Sequence, residues 1–107
     1  MIEKTIVLFR VKRGKQYEGE TTAVFPYEPW SDAYSMTCYA HVGQHGSCDM
    51  GWYHSTRPAK PSEYEALKHE SESYGSTPED HYVLEIRQRL PADAMKRRRA
   101  AMSERGR

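Results

Sequence analysis

The longest unbroken apolar run in this chain is four residues, Ile6–Phe9. A helix that crosses a bilayer needs about 20 predominantly apolar residues, so no such helix is encoded. The run opens a segment, residues 5–12, that is β-branched and aromatic, continuous at first and then alternating, which predicts a strand. No signal-peptide core precedes it, so the expected location is cytoplasmic. Two cysteines are too few for a disulfide scaffold. With 107 residues there is room for one hydrophobic core. Twelve aromatic residues, eight of them tyrosine, argue against intrinsic disorder.

Further alternation predicts more sheet. Residues 21–25 read as a second strand, stopped by Pro26 because proline cannot donate to a ladder. Residues 35–42 read as a third, with Met36, Cys38, Ala40 and Val42 on one face and Thr37, Tyr39 and His41 on the other. Residues 43–51, with three glycines and no apolar period, read as a loop. Trp52-Tyr53 reads as a resumed extended segment and Arg57–Pro61 as a rigid connector. Ser62 with Glu65 matches a capping box, with Tyr64, Leu67, Ser71 and Tyr74 at helical spacing and Gly75 as the stop, which predicts a helix over 63–74. Residues 82–89 alternate again, with Tyr82, Leu84 and Ile86 inward. The expected fold is α+β: a mainly antiparallel four-stranded sheet, β-β-β-α-β, with one packed helix. Residues 1–90 form this domain, and residues 91–107 are a basic C-terminal helix or tail outside the core.

A near-neutral net charge of +1 conceals segregation. Residues 1–17 carry five basic residues and one acid (+4). Residues 18–86 carry three and twelve (−9), and residues 87–107 eight and two (+6). Each charged region offers a different partner. The cationic set Arg87, Arg89, Lys96, Arg97, Arg98 and Arg99 suits nucleic acid or phosphate, with Arg105, Arg107, Lys12, Arg13 and Lys15 as further members and Tyr39 and Tyr53 as stacking platforms. The acidic middle, with Glu65, Glu72 and Glu79, suits docking on a basic groove of a partner protein.

Cys38, His41, His45 and Cys48 are four soft-metal ligand types within eleven residues. Residues three apart on a strand point to opposite faces, so Cys38 and His41 diverge and no zinc or other cofactor is expected. The same stretch offers Cys48 as a nucleophile, His41, His45 or His54 as a base and Asp49 to orient it. No nucleophile elbow, phosphate loop or metalloprotease helix accompanies them, and the expectation is no enzyme.

The stretch Cys38-Tyr39-Ala40-His41-Val42-Gly43-Gln44-His45, followed by Thr56-Arg57-Pro58-Ala59-Lys60-Pro61-Ser62-Glu63-Tyr64, resembles a group of small phage and mobile-element proteins. The resemblance spans roughly residues 4–99 and implies a setting, that of an accessory protein inside a bacterial host cell. It carries no catalytic or binding residue with it. The resulting expectation is a non-enzymatic phage-type binding protein that inhibits a host defence complex by docking through its acidic face and the Gly43–Gly51 loop. The alternatives are a nucleic-acid-binding accessory protein using the basic C-terminal segment, or a sponge for a phosphorylated small-molecule signal. No membrane partner is expected.

Overall fold

The four-residue apolar run becomes the centre of the molecule. In the computed structural model, which describes residues 4–40, 45–72 and 83–105, strand β1 (Lys4–Lys12) has side chains buried on both faces: Val7, Leu8, Phe9 and Val11 are at most 3% exposed. Such a strand must be covered above and below. Val7, Phe9 and Val11 share a cluster with Ala23, Tyr39, Ala59 and Leu67, while Leu8 packs with Val24, Met36 and Cys48.

Among the described residues, a six-stranded mixed sheet forms around β1. On one edge, β2 (Thr21–Pro29) pairs antiparallel with Leu8 opposite Val24, then β3 (Met36–Tyr39) and β4 (His45–Cys48) continue the meander. The other edge of β1 is shared. Antiparallel β5 (Thr56–Pro58) covers Arg10–Lys12, and parallel β6 (Val83–Ile86) covers Lys4–Val7. The α+β class is as expected, but the sheet has two more strands than the alternation predicts. β4 lies where a loop was expected, and β5 where a connector was. Both are short and polar, and pairing with a neighbour makes them strands.

Asp49 ends β4 by capping α1 (Met50–His54), its carboxylate accepting from the Trp52 N–H at 2.8 Å, so Trp52-Tyr53 is helical rather than extended. Helix α2 (Pro61–Glu72) starts two residues before the expected helix. Pro61 takes the first helical position, which suits its missing N–H, and the Lys60 carbonyl accepts from Glu63 N–H. Glu63, three residues after Lys60, closes the turn by accepting from the Lys60 N–H at 3.0 Å. The reciprocal carboxylate is therefore Glu63, not Glu65, and Ser62 is an exposed second residue of the helix. Residues 73–75 lie outside the described residues. Tyr64 and Leu67 do face the sheet, with Tyr64 stacked on Phe9 at a ring separation of 4.8 Å. Leu84 and Ile86 join the same cluster, as their alternation predicts.

Pro26 does not stop β2. The strand runs through it to Pro29, and the register with β3 slips between Phe25 and Pro29. A bulge of this kind accommodates a residue with no N–H and frees carbonyls from the ladder. Helix α3 (Ala94–Arg105) packs on this part of β2. The sheet is thus covered on both faces, by α2 on the Phe9 side and by α1 and α3 on the Leu8 side. No helix among the described residues is long and apolar enough to cross a membrane.

Candidate functional site

The β2 bulge and the loop after it present carbonyl oxygens to which α3 donates, and Pro29 O also accepts from Thr37 Oγ1 on β3 at 3.1 Å. Arg98 is 1% exposed; its Nε donates to Ala33 O at 2.8 Å and its Nη1 to Pro26 O at 2.7 Å. Burial holds this guanidinium below its ordinary pKa, opposed by the nearby Cys48, though an arginine stays charged under any ordinary condition. Seven residues and about two turns later, Arg105 donates to Trp30 O at 2.8 Å and Pro29 O at 3.0 Å. The basic segment is therefore a docked helix, and Arg98 is a buried strut rather than an outward cation. This corrects the expectation that the whole Lys96–Arg99 run lies outside the core. Hydrogen bonds to freed carbonyls make up for the desolvation of one arginine in the run.

The other three cations of the run, Lys96, Arg97 and Arg99, are exposed. Arg97 sits 4.7 Å above the ring of Tyr27, whose hydroxyl donates to Asp93 at 2.9 Å. Burial, then that bond to Asp93, raise the Tyr27 pKa, while Arg97 and Arg87 lower it, which places both cations near one ring. Arg87 is exposed and paired with Glu85 at 2.6 Å; Arg89 is exposed.

The loop pinned by Arg98 and Arg105 carries aromatic side chains outward. Asp32 folds it by accepting from the N–H groups of Tyr34 (2.8 Å) and Ser35 (3.1 Å). Trp30 is 43% and Tyr34 65% exposed, the large hydrophobic residues most open to solvent among those described. Sequence reading missed both, although their place in a Pro-Trp-Ser-Asp turn between strands was a usable signal. The platforms it named are engaged elsewhere. Tyr39 is buried in the core, and Tyr53 lies under Arg10, whose guanidinium is 4.3 Å from the ring. Lys12 and Arg13 lie beside the first residues of β2, at the far end from α3, so the N-terminal cations do not extend the patch.

Of the acidic docking set, Glu65 is exposed on α2, Glu72 is the last residue of that helix, and Glu79 lies outside the described residues. The carboxylate that α2 does use is Glu63. It accepts from both Arg57 Nη atoms at 2.8 Å and from the N–H groups of Lys60 and Gly19 at 3.0 Å. Arg57 first, then the Lys60 N–H, bring its pKa down to about 2.

Among the described residues, no three His, Cys, Asp or Glu side chains group so as to hold a metal ion. Cys38 and Cys48 share one face of the sheet. Position 45 pairs with Tyr39 on β3. His41 lies outside the described residues. Around Cys48, Asp49 is turned to the Trp52 N–H, and His54 lies edge-on to Tyr53 on the exposed side of α1. Comparison with protein-family models, curated proteins and solved structures gives no match.

Proposed function

We propose that this is a non-enzymatic accessory protein that binds nucleic acid on the face made by α3 and the Trp30–Ser35 loop. The observation that carries this reading is the juxtaposition of exposed Lys96, Arg97 and Arg99 with exposed Trp30 and Tyr34, held together by Arg98 and Arg105. Exposed cations bind phosphates by releasing condensed counterions. Aromatic side chains beside them stack on unpaired bases, each such stack worth about 1–3 kcal/mol. Single-stranded nucleic acid is the ligand that uses both groups. A phosphorylated small molecule would use the cations alone.

The test is anisotropy of a labelled single-stranded oligonucleotide across a salt series. The triple change K96A/R97A/R99A should remove most binding, and the slope against log salt should flatten by about one for each phosphate the variant no longer neutralises. Arg98 is kept, so that the fold is not the variable. Affinity unchanged in that variant sinks the reading. Loss of Trp30 and Tyr34 should weaken single-strand binding more than duplex binding.

The second reading is a phage-type inhibitor acting inside a bacterial host by docking on a protein complex through Glu65, Glu72 and Glu79. The exposed carboxylate of Glu65 on α2 favours it. Charge reversal at these three positions would then slow association, and K96A/R97A/R99A would leave it intact.

A further inference from the structure

Cys38 and Cys48 sit on adjacent antiparallel strands, where Cys38 is opposite Gly46 and Met36 is opposite Cys48. Pleat alternation puts both thiols on the same face, diagonal to one another, against Leu8, Val24 and Met36. Both are free, and each thiol acts on the ionisation of the other. Their surroundings differ. Cys48 is 4% exposed, with the Met36 carbonyl oxygen 3.7 Å from its sulfur. Cys38 is half-buried; its cross-strand neighbour on β2 is Val24 and on β4 is a glycine. A Cβ added at Gly46 would come within 3.9 Å of Cys38 Sγ, so on the β4 side no side chain from position 46 covers this sulfur. One thiol is reachable, with the other shielded behind it.

The charge states divide the same way. The hydrogen bond with Cys48 lowers the Cys38 pKa against the opposing effect of burial, and the Gly46 backbone adds to the lowering. The Cys48 thiol is pushed up by its bond to Cys38 and by burial. A thiolate is the attacking species in disulfide exchange, so Cys38 is the member that reacts first.

We propose that Cys38 and Cys48 form a redox-active pair that closes reversibly into an internal disulfide by exchange with a small-molecule disulfide of the glutathione type. In the first step Cys38 Sγ attacks one sulfur of that disulfide; a mixed disulfide forms and one small thiolate departs. In the second step Cys48 Sγ attacks Cys38 Sγ. The Cys38–Cys48 bond forms, the mixed disulfide breaks, and the Cys48 proton leaves with the second small thiolate. The two cysteines lose two electrons, and the small disulfide takes them up to become two thiols. Capping Cys38 in the first step removes the negative charge that holds the Cys48 proton, so the first step prepares the second. The bond ties β4 to β3, its pairing partner in the sheet, beside the buried Arg98. This inference stands apart from the nucleic-acid reading.

The experiment treats the folded full chain with oxidised glutathione, followed by intact mass, free-thiol titration and a non-reducing gel. Wild type should lose both thiols, fall in mass by two hydrogens and show no linked chains; reductant should restore it. Cys48→Ser should stop at a stable adduct carrying one glutathione. Cys38→Ser should keep its thiol. Circular dichroism confirms that each variant is folded, and the wild-type result decides the question where one is not. A wild-type chain that holds glutathione without closing, links to a second chain, or keeps both thiols overturns the proposal. So does a folded Cys38→Ser chain that reacts as fast as wild type.

Discussion

The two long helices cover opposite faces of one sheet and are attached by different chemistry. α2 comes down on Phe9 with Tyr64 and Leu67, and its first turn is fixed by the two-pronged Arg57–Glu63 pair. α3 buries Ala94 and Arg98, and a guanidinium does what Leu67 does for α2. A helix poor in apolar residues docks when the surface beneath it offers carbonyls to its donors. The β2 bulge makes α3 necessary, as much as α3 makes use of the bulge.

The largest way to break this comparison is Arg98→Met, which keeps length and removes the donors. Leaving the buried Pro26 O and the part-buried Ala33 O without their donor should cost about 3 kcal/mol in urea unfolding. Arg98→Lys should recover little, since an ammonium lacks the planar fork that spans both oxygens. A cost below about 1 kcal/mol for Arg98→Met would show that α3 is held by something else. On the other face, Leu67→Ala should cost about 2–3 kcal/mol through the cavity it leaves.

Glu63→Gln should cost about 2 kcal/mol and separates the two attachments by pH. The folded pKa of Glu63, about 2, lies below the ordinary 4.5. Its contribution is therefore complete above 4.5 and is lost as pH falls toward 2. Acid should loosen α2 before α3, readable as faster amide exchange in residues 61–72 than in 94–105, and the Gln variant should have a flatter stability profile in that window. Equal loosening of both helices would blunt the comparison. Smallest of all, Ser62→Ala should change stability by less than about 0.5 kcal/mol, because the first turn closes through Lys60 and Glu63.

Sequence made the apolar parts of this fold legible. The Ile6–Phe9 run, the two faces of residues 36–39 and the inward Leu84 and Ile86 all lie where their periodicity puts them. What escaped depends on partners distant in the chain. His-Gly-Ser-Cys and Thr-Arg-Pro have no period of their own, and each becomes a strand beside a neighbour. Arg98 is flanked by cations on both sides, and nothing local sets it apart. The spacing Ala94, Arg98, Arg105 marks the inner face of the helix only once the carbonyls of residues 26–33 are known to lie beneath it. The aromatic half of the site escaped for a related reason. Trp30 and Tyr34 look like core residues by type, and only the Asp32 turn keeps them outside.

The shared edge of β1 has a consequence for how the chain is made. As it leaves the ribosome, β1 meets β2 almost at once, since only residues 13–20 separate them. Its other rim waits for residues 56–58, and the stretch Lys4–Val7 waits longer still, for residues 83–86. Until then the most apolar segment of the protein offers an open row of donors and acceptors to any neighbouring nascent chain. The order of strands thus builds in an interval during translation when this protein is most in need of a chaperone.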